Sequence, residues 1–160
     1  MSLRPATRAD LDALVAVINA AYLVEEFFIR GPRTDLGELE GILADPARVL
    51  LVLEEEDHPG VAGAVCATVD GRRGHLSLLA VDPARQGRGF GRLLVEGVVA
   101  HCRRAGCDRV ELEVFDARQE LPSFYAALGF TPTAPVAYAH PELLLRPSRL
   151  IRMVKPLERP

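Results

Sequence analysis

The chain has 160 residues, 49% of them hydrophobic, and a formal net charge of −3. This length suffices for one domain with a substantial core, and the apolar content excludes intrinsic disorder. The slightly acidic charge gives no electrostatic basis for nucleic-acid binding, and no apolar run reaches the roughly 18 residues that a membrane span needs.

The spacing of apolar residues predicts eleven elements with no linker or repeat between them. Glycine and proline mark most of the boundaries. In chain order the predicted elements are a strand at 3–6, a helix that opens at residues 7–10 and extends to residue 22, a helix at 35–43, strands at 48–54, 61–69 and 76–81, a helix at 92–105, a strand at 109–115, a helix at 122–128, and strands around 136–138 and 150–154. This order predicts one α+β domain, residues 1–160, around a mixed sheet.

The three cysteines, Cys66, Cys102 and Cys107, are odd in number and lack the spacing of a metal site. Cys66 lies in an apolar predicted strand and Cys102 in a predicted helix, which favours free buried thiols over redox chemistry. Residues 1–5 do not resemble a secretory signal. We therefore expect a cytoplasmic protein that uses no metal.

A glycine-rich segment, residues 86–91, connects the predicted central strand to a helix. Asp82-Pro83 ends the strand, because proline cannot donate to a β-ladder. Three glycines at alternate positions let the backbone approach a ligand closely. The helix that follows points its unpaired N–H groups and its positive dipole end at that ligand, which favours a phosphate.

The spacing of the glycines narrows the choice of phosphate ligand. No Lys-Ser or Lys-Thr follows, as a mononucleotide P-loop requires, and Arg92 stands where a dinucleotide fingerprint needs its third glycine. The segment instead reads Q-x-x-G-x-G, with Gln86, Gly89 and Gly91 after the strand LAVDP. This pattern resembles the acetyl-CoA pyrophosphate loop of the GNAT (general control non-repressible-related) N-acetyltransferase superfamily.

Three more segments resemble this family in the same order along the chain. LRPATRADLDALVAVINAAY is similar to the first strand and helix, SFYAALGF at residues 123–130 to the signature of the fourth helix, and RLIRMVKPL to the closing strand. The resemblance implies a mixed, mostly antiparallel sheet of six to seven strands, flanked by four helices, with a V-shaped split between the two central strands.

The resemblance also implies how acetyl-CoA binds. The strand that contains Leu79, Ala80 and Val81 would separate from strand 109–115, and the pantetheine arm would bond to the backbone groups exposed there. Arg118 stands where relatives often carry an asparagine, and its charge would replace that cofactor contact; Arg85 is a further candidate for the phosphates. The pyrophosphate would meet N–H groups of Gln86, Gly87, Arg88, Gly89, Phe90, Gly91 and Arg92.

Acetyl transfer to an amine needs a base and an acid. An alkylammonium has a pKa near ~10 and must lose a proton before it attacks, and the CoA thiolate must gain one. In relatives the tyrosine at the position of Tyr125 protonates the sulfur. Glu113 precedes it by the spacing found in ribosomal-protein N-terminal acetyltransferases, where the glutamate acts through water. His75 and Ser77 are alternative bases, and a purely structural carboxylate is the alternative for Glu113.

The predicted function is acetyl-CoA-dependent transfer of an acetyl group to a primary amine of a small molecule or of a peptide or protein N-terminus. Transfer is expected to be direct, since Cys66 and Cys107 lack a histidine partner by pattern. The resemblance implies that residues 25–34 and 138–147 shape the acceptor pocket, and a homodimer is compatible with the sequence. The alternatives are a CoA-binding sensor without turnover and an enzyme that binds nucleotide phosphates.

Overall fold

The computed structural model describes residues 1–158, in which seven strands form one sheet and four α-helices flank it. The strands are β1 (Ser2–Pro5), β2 (Arg48–Glu54), β3 (Val61–Asp70), β4 (Arg73–Val81), β5 (Arg109–Phe115), β6 (Thr131–Val136) and β7 (Leu150–Pro156). The helices are α1 (Leu11–Tyr22), α2 (Leu36–Ala44), α3 (Phe90–Arg104) and α4 (Glu120–Ala127). The order of these elements confirms the predicted one.

The sheet is mixed and mostly antiparallel. Its spatial order is β1-β2-β3-β4-β5-β7-β6. Every neighbouring pair is antiparallel except β4 and β5, which run parallel because α3 crosses over between them. The predicted fold class is therefore confirmed.

The sheet separates two hydrophobic clusters. On one face α3 buries Leu94, Val98 and Cys102 among residues that include Val110 and Leu112 of β5. On the other face α1 and α2 bury a second set against β2, β3 and β4: Leu11, Leu14, Ile18, Leu39 and Ile42. Each fully buried side chain of this size stabilises the fold by about 1.5–3 kcal/mol, so both faces of the central strands are firmly held.

The strand before the closing one differs from its prediction. It was expected around Val136–Tyr138, but β6 covers Thr131–Val136 and Tyr138 lies beyond its end. The strand is exposed along nearly its whole length, so it has no buried face that an alternating pattern could reveal. Pro132 and Pro135 fit there because β6 is an edge strand.

The burial of the cysteines and the length of the helices also bear on the predictions made from composition. All three cysteines are buried and free, as predicted. Within residues 1–158, no helix combines the length and the apolar composition that crossing a bilayer would require.

Candidate active site

The two central strands pair over only three positions, from Arg73 opposite Arg109 to His75 opposite Glu111. Beyond that point β4 continues to pair with β3, and β5 continues to pair with β7. Residues 76–81 of β4 therefore have no strand partner on the side of β5. This is the V-shaped split that the resemblance implied.

A β-bulge in β4 lies at the split. Ala64 of β3 faces Ala80 and Cys66 faces Ser77, so Val65 between them faces two residues. One of the two, Leu78, has a φ of +57°. This conformation is strained for leucine, at a cost of order 1–3 kcal/mol, and the buried position of the side chain holds it. The bulge was not predicted, because an apolar run such as LSLL has no signature that distinguishes it from a regular strand.

The split opens into a cleft of about 1170 Å³. Its walls come from the diverging halves of β4 and β5, the glycine loop, α4 and the segment that follows α1. Of the residues predicted to bind the cofactor, nine line the cleft: Leu79, Val81, Gln86, Gly87, Gly89, Phe90, Gly91, Arg92 and Arg118.

The glycine loop has the backbone geometry that its sequence predicted. Gly87 and Gly89 have φ values of +79° and +82°, which other residues rarely adopt. Gly89 is the N-cap of α3, so the first N–H groups of the helix face the cleft. A Cβ atom on Gly91 would lie 3.3 Å from Cζ of Phe124, which leaves little space for a side chain. The loop is therefore a backbone cradle at a helix N-terminus, suited to an anion.

Two predicted cofactor residues lie outside the cleft lining. The side chain of Ala80 is buried in the cluster that β4 forms with α1 and α2. Arg88 forms an ion pair of 2.6 Å with Glu55 and lies over the ring of Phe90, 4.8 Å from its centroid. Arg85 also binds Glu55, at 3.0 Å.

Arg92 remains at the cleft, with an ion pair of 2.9 Å to Glu96 one helical turn along α3. Its side chain is 70% exposed, so this pair is weak and the guanidinium is available to a second anion. Among the arginines near the loop, Arg92 is the one placed best for a phosphate.

Two of the candidate bases contact one another. Nε2 of His75 lies 3.0 Å from Oε1 and 3.1 Å from Oε2 of Glu113, and both side chains line the cleft. Burial alone would raise the pKa of Glu113, but the His75 hydrogen bond and the nearby charges of Arg152 and Arg73 hold it below its ordinary value. Glu113 is therefore ionised at neutral pH. Ser77, the other alternative, also lines the cleft.

Tyr125 reaches the split from the opposite face of the sheet. It projects from α4 into the cluster beneath α3, with its ring 5.0 Å from that of Phe124 and 5.6 Å from that of Phe130. Burial raises the pKa of its hydroxyl well above the ordinary value, so the group stays protonated. Its hydroxyl takes part in none of the hydrogen bonds identified within residues 1–158.

On the acceptor side of the cleft, the segment after α1 is held by specific side-chain contacts. Residues 23–25 form a 3₁₀ turn that buries Glu25, whose carboxylate binds Arg118 at 2.8 Å. Arg33 lies over the ring of Tyr22, and Asn19 holds the backbone of Thr34 through two hydrogen bonds. Tyr22 and Asn19 also line the cleft.

The two segments predicted to shape the acceptor pocket meet in space. The backbones of Ile29 and Leu144 pair as an isolated β-bridge, and the Arg30 N–H donates to the carbonyl of Leu143. Tyr138 and His140 complete this wall of the cleft. Within residues 1–158, no three His, Cys, Asp or Glu side chains are grouped so that they could hold a metal ion.

Comparisons with known proteins agree with this geometry. The profile of the Acetyltransferase (GNAT) family matches residues 17–130. Glucosamine 6-phosphate N-acetyltransferase 1 of Oryza sativa subsp. japonica is 32% identical over 140 residues, which cover 80% of this chain and 79% of that protein. The mycothiol acetyltransferase of Beutenbergia cavernae is 37% identical over 90 residues, but these cover 56% of this chain and 30% of that protein. The chain thus spans less than half the length of the mycothiol acetyltransferases among its first matches.

Solved structures share the whole fold. The ribosomal-protein-S18-alanine N-acetyltransferase of Escherichia coli superposes with a TM-score of 0.80 at 19% identity, covering 99% of this chain and 95% of that one. A Salmonella typhimurium protein, solved with its cofactor acetyl-CoA, superposes with a TM-score of 0.75 at 26% identity, covering 100% of this chain and 95% of that one. The split sheet, the glycine cradle and these matches together show that the chain belongs to the GNAT acetyltransferase family.

Proposed function

We propose that this protein transfers the acetyl group of acetyl-CoA directly to a primary amine. One observation carries the proposal. The split between β4 and β5 joins the two faces of the sheet, with the His75–Glu113 pair on one side and Tyr125 on the other, beside the glycine cradle. A base and an acid thus border a single cleft, which is the arrangement that amide formation from an amine and a thioester requires.

The residues present fit acetyl-CoA. The unpaired edge of β4, including Leu79 and Val81, presents backbone groups to an extended pantetheine chain. The cradle from Gln86 to Arg92 faces the cleft with glycine φ angles that suit a pyrophosphate. Arg118 has less support as a cofactor residue, because its guanidinium is already held by Glu25 and by Glu120.

The side chains have complementary roles in the reaction. Acetyl-CoA supplies a thioester that a neutral amine attacks. The His75–Glu113 pair removes the proton that keeps the amine charged, since an alkylammonium has a pKa near ~10. Tyr125 donates its proton to the departing thiolate and regains one from solvent.

We infer that the acceptor binds between residues 25–34 and 138–147. Both segments line the cleft on the face of the sheet that carries Glu113. The names of the curated relatives favour a small molecule with an amino group, such as glucosamine 6-phosphate, and a peptide N-terminus is the second candidate. We further propose that residues 1–160 form one domain of a cytoplasmic protein, for which a homodimer is compatible with the sequence.

The decisive experiment measures release of CoA thiol from acetyl-CoA in the presence of an amine panel. The panel contains glucosamine 6-phosphate, free amino acids, polyamines and short peptides. The protein's own thiols will not interfere, because all three are buried and burial raises the pKa of Cys102 to about 12. Amine-dependent release supports the proposal; tight acetyl-CoA binding with no release for any amine would support a sensor instead.

A further inference from the structure

The structure points to different tasks for His75 and Glu113. We infer that the imidazole of His75 takes the proton from the acceptor amine and that Glu113 acts as the positioning residue that orients this imidazole. The inference rests on the proposed acetyl transfer. It departs from the sequence-based prediction, which gave the base role to Glu113.

The contact between the two side chains fixes the tautomer of the imidazole. Nε2 of His75 lies almost equally far, 3.0 and 3.1 Å, from the two carboxylate oxygens of Glu113. Because an ionised carboxylate only accepts hydrogen bonds, Nε2 must carry the proton. Nδ1 then keeps its lone pair, and no hydrogen bond identified within residues 1–158 involves it. An imidazole that lines the cleft with a free lone pair is equipped to accept a proton.

Glu113 is poorly suited to that task. Its carboxylate already accepts from His75 and lies 3.9 Å from Nε of Arg152. Each of these contacts stabilises the charged form, so protonation of Glu113 is unfavourable. A general base works best when its affinity for protons is matched to the working pH. A carboxylate that holds a histidine in one tautomer is the familiar arrangement of hydrolase triads, here with the two ring nitrogens exchanged.

The charged groups around the His75–Glu113 pair lie on the neighbouring strands of the sheet. Arg73 of β4 and Arg152 of β7 are both near Glu113, and the buried Glu111 contacts both of these arginines. Thr68 of β3 lies opposite His75. On the same face α1 adds the neutral side chains of Asn19 and Tyr22 to the cleft, and the carboxylate of Glu25 is neutralised by Arg118. The imidazole therefore has Glu113 as its direct ionic partner.

The proton balance of the step is complete. An alkylammonium gives one proton to Nδ1 of His75, directly or through a water molecule, and the imidazolium releases it to solvent. The neutral nitrogen forms a bond to the acetyl carbon while the carbon–sulfur bond breaks. The second nitrogen proton leaves as the amide forms, and the thiolate is protonated through Tyr125. The net products are the amide, the CoA thiol and one proton.

The first test compares His75→Gln, Glu113→Gln and a control, His58→Gln, in the full chain. His58 is exposed in the turn between β2 and β3, away from the cleft. The measurement is kcat/KM for a responsive amine against pH, at saturating acetyl-CoA. We expect His75→Gln to lower kcat/KM about 10²–10⁴-fold and to abolish the acidic limb of the profile, which is the fall of kcat/KM at low pH. Glu113→Gln should lower kcat/KM but keep the acidic limb, and His58→Gln should match the parent chain.

Chemical rescue adds a readout that a structural role would not give. Imidazole added to the buffer should restore activity to His75→Ala but not to Glu113→Ala. The inference is overturned if His75→Gln keeps the acidic limb of the pH profile and a kcat/KM within about threefold of the parent, while Glu113→Gln loses the acidic limb and most of its activity.

The second test does not depend on turnover. The chain has 4 histidines, so a ¹⁵N-NMR correlation spectrum can assign the tautomer of each ring. At high pH we expect His75 to carry its proton on Nε2, and to lose that preference in Glu113→Gln. A proton on Nδ1, or a mixture unchanged by Glu113→Gln, would overturn the inference even with full acetyltransferase activity. If no amine is acetylated but this tautomer is found, the proposed reaction fails and the orienting contact stands.

Discussion

Nη1 of Arg118 lies 2.8 Å from Oε2 of Glu25, across 93 positions of sequence. Each side chain is largely buried, and Nε of Arg118 also binds Glu120 at 2.6 Å. Glu25 belongs to the turn after α1, whereas Arg118 precedes α4, which carries Tyr125. The pair therefore connects the acceptor side of the cleft to the helix of the proposed acid.

Breaking this pair should affect the acceptor more than the cofactor. Glu25→Gln leaves Arg118 without its buried partner, and removing one member of a buried pair costs about 3–5 kcal/mol. We expect a lower Tm, a KM for the amine raised about tenfold, and an acetyl-CoA Kd within about twofold of the parent. Steady-state kinetics and calorimetry measure the two constants separately.

The charge-reversed double variant Glu25→Arg/Arg118→Glu is the matched control. It restores the attraction with the charges exchanged, so it should regain part of the lost stability and amine affinity. If Arg118→Ala instead weakens acetyl-CoA binding and leaves the amine KM unchanged, Arg118 is a cofactor residue, as its sequence position predicted.

Tyr125→Phe should separate chemistry from binding. The substitution removes one hydroxyl and keeps the ring contacts with Phe124 and Phe130. We expect kcat to fall about 10²–10³-fold, because the thiolate loses its proton donor, while the acetyl-CoA Kd stays nearly constant. Stopped-time assays and calorimetry provide the two values. Equal losses in kcat and affinity would exclude the acid role.

Glycine at position 89 should be required for cofactor binding. Gly89 has a φ of +82° at the N-cap of α3, and nothing lies within 4 Å of a Cβ placed there. Gly89→Ala thus tests backbone conformation without a steric clash. We expect a loss of roughly 1 kcal/mol or more in stability and weaker acetyl-CoA binding, because alanine disfavours this geometry.

Gly41→Ala provides the matched control for this substitution. Gly41 lies inside α2, also with open space around its Cβ position but without a positive φ. The same chemical change should there stabilise the protein by about 0.4–1 kcal/mol and leave acetyl-CoA binding unaltered. Gly89→Ala that binds acetyl-CoA like the parent would argue against the cradle.

Asp10 should contribute to the loss of stability in acid. Its carboxylate accepts two hydrogen bonds from Arg4, at 2.8 and 2.9 Å, and one from the Thr7 N–H at 2.7 Å. The hydrogen bonds from Arg4, opposed by burial and assisted by those from Thr7, hold the pKa of Asp10 well below its ordinary value. Because the folded pKa is depressed, this stability is complete above the unfolded value near ~3.9 and is lost as pH falls below it.

The Asp10→Asn variant measures this contribution. Asparagine keeps the shape and the acceptor oxygen but loses the charge, so we expect about 1 kcal/mol of destabilisation at pH 7, discounted because Arg4 is 35% exposed. The gap between variant and parent should close as pH falls from about 4 to 2. Urea unfolding at several pH values gives the free energy of unfolding of the variant and the parent as a function of pH. Asp12→Asn, at an exposed position of α1, is the control and should destabilise the protein less than Asp10→Asn at pH 7.

The cofactor side and the acceptor side of the site differ in how much of each could be predicted from the sequence. The glycine loop could be predicted, because a strand, a glycine-rich segment and a helix are adjacent in the chain and glycine's φ preference is local; its binding of the cofactor stays a prediction. The strands and helices around it were predicted for the same reason, since their periodicity shows in short windows, although β4 begins at Arg73 and not at residue 76 as predicted. The exposed β6 was misplaced because it has no buried face to produce such a pattern.

The order of the elements, the family and the glycine loop could all be predicted from local sequence patterns, and Tyr125 and Glu113 could be named as candidates from their spacing. The contacts of His75 with Glu113 and of Glu25 with Arg118 became visible only in the folded chain. Both contacts join side chains that lie far apart in sequence, 38 and 93 positions, and depend on where β4 separates from β5. That point of separation lies next to a bulge in which the buried Leu78 has a φ of +57°, a conformation that no local preference of leucine encodes.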